Sequence, residues 1–237
     1  MASIVEAIQD TVTGTDSWGK MLVCAVPVYL SYYFYKTGNL PLFYILVVPT
    51  ALFMLALMSS ILYNIRNCTN IPFPSLNPIR LCSIIMKGFV ALGPMTLVLG
   101  ILGFLLTKIP LPGVISQFQV VYEFIIWLLC ASILLTAYLI FSATGSVVKP
   151  YNYDLISKYC VDVLMGFFFM LIKFAVVNLV FVGFVYYVFF AFKWTGSPIL
   201  EMLYAYFVVM NLCSMANYLA QVFYEAVPGE DKEEIII

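Results

Sequence analysis

The sequence predicts an all-α fold: a polytopic integral membrane protein of about six transmembrane helices with short amphipathic interfacial helices. Three observations predict it. First, 64% of the 237 residues are hydrophobic and 10% charged, whereas a soluble domain is roughly 25% charged and about 45–50% apolar. A chain of this size cannot hide so much apolar surface from water, so its solvent is lipid. Second, five long apolar runs hold at most one charge each. Third, the basic residues gather in alternate loops.

The first 20 residues carry Glu6, Asp10 and Asp16, which is not the basic-then-apolar pattern of a cleavable signal. Ile4, Val5, Ile8 and Val12 recur at helical spacing, so residues 1–20 read as an amphipathic segment at the interface. Residues 21–224 read as the membrane domain and 225–237 as an acidic, flexible tail.

The first apolar run, 21–35, is short and contains Pro27. At 1.5 Å per residue it covers roughly 22 Å, less than the hydrocarbon core. Lys20 and Lys36 bracket it and can snorkel to opposite interfaces. A re-entrant or interfacial segment is the alternative. The runs 40–63, 88–107, 124–148 and 202–224 are uncharged, and 163–192 holds only Lys173. All five are long enough to span.

With six spans, the amino end, the 64–87 loop, the 142–162 loop and the tail share one side. They hold seven basic residues against three (Lys36, Lys108 and Lys193) on the other side. The positive-inside rule then puts both termini in the cytoplasm of a multi-pass cell-membrane protein. Without a first crossing the count falls to six against four.

The loop 70–78 carries three prolines in seven residues and cannot be a continuous helix. Asn77 as N-cap and Pro78 at the first position predict a short helix over 79–87 lying on the interface. The second loop, Lys149-Pro150-Tyr151-Asn152-Tyr153-Asp154, leads into an amphipathic 155–162. Each loop therefore has a Pro-aromatic pair and then a short helix entering a span, which hints at an internal repeat.

Lys173 is the leading candidate for function, because charges within a membrane are costly and rare. The last span sets Asn211, Ser214, Asn217 or Tyr218, Gln221 and Glu225 at steps of three and four, on one helix face. In lipid such a face must meet protein or water. Asn178 can join it. The group Lys173, Asn178, Asn211, Ser214, Asn217 and Gln221 is thus a candidate intramembrane polar site, either a cavity lining or interhelical hydrogen bonding. Glu123 and Glu201 suit helix N-termini. Gly100 and Gly103 suit close helix approach.

Histidine is absent, which removes the commonest general base and metal ligand. The six cysteines form no C-x-x-C pair and read as free thiols. No cofactor, metal or nucleic-acid partner is expected, and catalytic motifs are missing. Asn67-Cys68-Thr69 has the form of a glycosylation acceptor but falls in a cytoplasmic loop.

Asp16-Ser17-Trp18-Gly19-Lys20, Ile71-Pro72-Phe73-Pro74 and Lys87-Gly88 resemble motifs of a large uncharacterised family of bacterial and archaeal six-span membrane proteins, a domain of unknown function. Its motifs are an Asp-x-Trp-x-x-Lys opening before the first span and a Leu-Pro loop before the third. Ser75-Leu76-Asn77 departs from the family's aromatic or acidic residue after Leu-Pro. The resemblance implies a six-span fold and no known activity.

Three functions compete. The first is a non-enzymatic membrane component or complex subunit, whose partners are lipids and a protein or a second copy. The second is a small transporter or channel around Lys173 and the last span. The third is a lipid-modifying enzyme using Asp154, Lys158 and Asp162.

Overall fold

The computed structural model describes residues 3–13, 16–66, 73–110, 112–193 and 197–226. These residues form seven α-helices and two 3₁₀ turns, with no strand among them. The helices are α1 (Ile4–Val12), α2 (Ser17–Lys36), α3 (Leu40–Arg66), α4 (Pro78–Thr107), α5 (Gln119–Thr144), α6 (Tyr153–Ala191) and α7 (Pro198–Ala226). Five of them, α3 to α7, are long and apolar enough to cross a membrane. The chain is a multi-pass helical membrane protein.

Local chemistry sets the helix ends. The Asn77 side chain accepts from the Ile79 and Arg80 amides at 3.0 and 3.5 Å, with Pro78 at the first position of α4. Asn152 does the same for Asp154 and Leu155 at the start of α6. These bonds satisfy amides that have no partner within the helix. Gly145 ends α5 with φ 64°, the left-handed cap that glycine takes without a Cβ penalty. Inside α2, the Ser31 hydroxyl donates to the Pro27 carbonyl at 2.8 Å, and the helix continues through the proline to a length of 20 residues. That is about 30 Å, longer than its uncharged stretch alone.

The interfacial helices expected over 79–87 and 155–162 are not separate elements. Each is the first part of a longer helix: α4 has 30 residues and α6 has 39. Charges at Lys87 and Asp162 divide the apolar runs, but they do not interrupt backbone hydrogen bonding, and no proline stands at either junction. The apolar side of 155–162 faces protein. Leu155, Ile156 and Tyr159 are buried in one cluster with Leu139, Ile140 and Ala143 of α5. Helix α1 likewise packs on α7, with Ala7 and Thr11 buried.

Helices α3, α5 and α7 make the interior, while α4 and α6 lie outside them. The most apolar windows of α3 and α5 are each 39% buried and that of α7 33%, against 17% for α4 and α6. One core joins α2, α3 and α7 through Met21, Cys24, Leu57, Val209 and Cys213. The other joins α5, α6 and α7 through Ile140, Val163, Phe174, Leu219 and Val222. The outer faces carry exposed Phe89, Val98, Leu179 and Phe184, a surface suited to lipid and not to water. The pair α5–α6 repeats the arrangement of α3–α4: an inner helix, then an Asn-capped outer one.

Two close approaches depend on glycine. A Cβ on Gly166 of α6 would overlap Val222 Cγ1 of α7 and stand 3.2 Å from Cγ2. A Cβ on Gly103 would stand 3.1 Å from the Trp127 ring, whereas Gly100 faces open space. Of the two glycines expected to admit a neighbour, only Gly103 does so. The Asn67-Cys68-Thr69 sequon, part of the proline-rich loop and residues 227–237 of the acidic tail lie outside the described residues.

Candidate functional site

The candidate residues fall on the antiparallel seam between α6 and α7. From the end nearer Gly166, the seam runs through four cross-contacts. Gly166 meets Val222. Lys173 Nζ donates to Tyr218 Oη at 2.8 Å. Asn211 Nδ2 donates to Asn178 Oδ1 at 2.5 Å. The Phe181 and Phe207 rings meet edge to face at 4.7 Å. As residue numbers rise on α6 they fall on α7, as antiparallel helices require.

Lys173 sits 4.9 Å from the Tyr218 ring centroid, within cation–π range, but its hydroxyl bond is the shorter contact. Tyr218 is itself buried and touches Phe174 edge to face. The amide pair is anchored on α6, because Asn178 Nδ2 also donates to the Phe174 carbonyl at 2.8 Å. Glu201 and Glu225 mark the ends of α7, 24 residues or about 36 Å apart. On that scale Tyr218 lies about 10 Å from Glu225, and Asn211 about 15 Å from Glu201, near mid-span.

The remaining candidates take different surroundings. Gln221 Nε2 donates to Asn217 Oδ1 at 3.2 Å, and Gln221 Oε1 accepts from the amide of Ser3, the N-cap of α1, at 2.9 Å. Asn217 and Ser214 are each 1% exposed. Asn217 Nδ2 and Ser214 Oγ have no hydrogen-bond partner among the described residues. Thus Lys173 joins Tyr218, Asn178 joins Asn211, Asn217 joins Gln221, and Ser214 joins none of them.

A second polar cluster escaped the sequence reading. Ser142 donates to Ser59 at 2.9 Å, Ser59 to the Tyr138 hydroxyl at 3.1 Å, and that hydroxyl to the Leu55 carbonyl at 3.1 Å. This donor chain ties α5 to α3. Its signal was available, since Tyr138 and Ser142 are four apart, as are Leu55 and Ser59. At the edge of the bundle, Glu201 pairs with Lys36 of α2, and Glu123 accepts from Gln119 at 3.2 Å.

Asp154, Lys158 and Asp162 occupy the exposed side of α6. Cys24, Cys82, Cys130, Cys160 and Cys213 are free thiols. No group of three or more His, Cys, Asp or Glu able to hold a metal occurs among the described residues. No protein-family model matches the chain, and no curated protein or solved structure is significantly similar to it.

Proposed function

We propose that this protein is a non-enzymatic component of a cell membrane, a helical subunit that works through its spans and cytoplasmic loops. The observation that carries the reading is the α6–α7 seam. Lys173, Asn178 and Asn211 each bond a side chain of the facing helix, the pattern of polar groups joining helices in lipid. Lys173 thereby joins the two helices through Tyr218.

In this reading α2 is the first of six spans. Its 20 residues match a hydrocarbon core of ~30 Å, and the excess of basic residues puts both termini in the cytoplasm. The motif resemblance to the prokaryotic six-span family supports the same count and adds no activity. The test is extraction in mild detergent, with identification and stoichiometry of everything that co-purifies. A partner at fixed stoichiometry supports the proposal, and a lone monomer overturns it.

A second reading, a small transporter or channel, is favoured by Ser214 and Asn217. Buried polar atoms without partners are costly in a helix core, and a polar path through the bundle would account for them. Here Lys173→Leu abolishes flux in liposomes while expression stays normal. Unchanged flux removes the lysine from any transport role.

A further inference from the structure

The spacing of Ile4, Val5, Ile8 and Val12 suits a helix lying on a membrane surface. In the structure that helix, α1, is seated on α7 instead, with lesser contacts to α2 and α6. Ala7 is fully buried and Thr11 nearly so, and Ile4 packs on the core shared by α5, α6 and α7. The Ser3 amide donates to Gln221 Oε1 at 2.9 Å. Gln221 is five residues, or about 8 Å, from the end of α7. The seat is therefore at one end of the bundle, within reach of water.

Two features make this seat reversible. The first is the surface beneath it. Gln221, Asn217 and Ser214 follow one another at steps of four and three, on one side of α7. Asn217 Oδ1 accepts from Gln221, but Asn217 Nδ2 and Ser214 Oγ are buried without a partner. A buried polar atom without a partner opposes the state that buries it. Opening this side of α7 to water supplies the missing bonds, so the seated form carries a cost that release removes.

The second is α1 itself. Its two buried residues are small, and the Thr11 hydroxyl turns back to the Ala7 carbonyl at 2.7 Å instead of reaching α7. Ser3 Oγ accepts from the Glu6 amide, so the helix is capped from within its own segment. Val5 is 68% exposed, and Glu6, Gln9 and Asp10 are exposed beside it. The seat thus leaves Val5 outside, whereas a membrane surface takes Ile4, Val5, Ile8 and Val12 together.

We propose that α1 is a reversible latch, which exchanges its seat on α7 for the adjoining membrane surface and thereby opens Gln221, Asn217 and Ser214 to water. The latch is independent of whether the protein carries a substrate.

The experiment is hydrogen–deuterium exchange with mass spectrometry of the full chain in phosphatidylcholine vesicles, comparing residues 4–12 with residues 205–213 of α7. In wild type, residues 4–12 exchange roughly tenfold faster or more, because a helix of nine residues off its seat holds poorly. Gln221→Met removes the acceptor of the Ser3 amide and speeds that exchange roughly tenfold, the equivalent of one hydrogen bond. Ser214→Ala removes an unpartnered hydroxyl and slows it by a similar factor. Val5→Asn weakens only the form lying on lipid, and slows it too. Exchange over 205–213 is the same in all three variants, which separates release of α1 from unfolding. Helical circular dichroism identifies folded variants, and Gln221→Leu replaces Gln221→Met if that variant does not fold. Equal exchange of the two segments in wild type overturns the proposal. So does a shift in the same direction for Gln221→Met and Ser214→Ala, or no shift in either. No effect of Val5→Asn overturns the membrane surface as the second seat.

Discussion

Replacing Gly166 by alanine adds one methyl group where α6 and α7 touch most closely. That methyl would overlap Val222 Cγ1, and its next neighbours are Cγ2 at 3.2 Å and Cβ at 3.3 Å. Carbon atoms rest at about 3.5–4.0 Å, so something must move by an ångström or more. Val222 cannot turn aside, because a β-branched residue in a helix has one strongly preferred rotamer, and both of its methyls crowd the same point. The helices must therefore separate at a place where the neighbouring contacts, Lys173 with Tyr218 and Val163 within the core, depend on their spacing. Overpacking of this kind costs about 1–3 kcal/mol, partly offset by the ~1 kcal/mol that alanine gains over glycine in a helix. We expect a net loss of up to about 2 kcal/mol, read by reversible unfolding in mixed detergent micelles. Val222→Ala removes both crowding methyls, so the double variant recovers most of the loss relative to Val222→Ala alone. Gly100→Ala is the matched control. Nothing lies within 4 Å of its Cβ, so the same substitution there is neutral or stabilising. The same change in stability for Gly166→Ala as for Gly100→Ala, or no rescue by Val222→Ala, would refute the close approach.

Three further outcomes follow from the same geometry. A double-mutant cycle of Lys173→Met and Tyr218→Phe has a coupling energy of about 0.6–2 kcal/mol, with Tyr218→Phe the costlier single change because it leaves a cation in the membrane; zero coupling shows that the bond is not made. Ser59→Ala destabilises more than Ser142→Ala, since Ser59 sits in two hydrogen bonds of the donor chain and Ser142 in one, at about 1 kcal/mol per bond; the reverse order in unfolding experiments contradicts the chain. Reporter tags on the two termini respond from the same side of the membrane if α2 crosses, and from opposite sides if only α3 to α7 do.

Much of the fold was legible because lipid makes the local sequence decisive. A membrane-spanning segment must satisfy its own backbone and present apolar side chains over ~20 residues, and each run declares this without reference to the rest of the chain. Helix starts were legible for a related reason. Asn77 caps amides only two and three residues away, so its role is settled locally. The short helices expected over 79–87 and 155–162 are the first parts of α4 and α6, since charge marks where the bilayer ends, while a helix continues as long as its hydrogen bonds do.

The candidate site was legible only as a direction. Spacing put Asn211, Ser214, Asn217 and Gln221 on one side of the last helix, and that is where they lie. Spacing could not say that Lys173 meets Tyr218 in place of Asn217, or that Gln221 is held by the amide of Ser3. Those partners are separated by 45 and 218 residues. Gly166 and Gly100 make the same point, since both are glycines in apolar helices and only one has a valine against it.

What the amino-acid order determined by itself is the solvent and the inventory: a chain that lives in lipid, its long apolar helices, their caps, and the few polar groups that must find partners. The tertiary structure alone decided which partners those are. Periodicity specifies the side of a helix from which a side chain projects, whereas the rotation and offset of two packed helices are fixed by the complementarity of both surfaces at once, down to a single missing Cβ at Gly166.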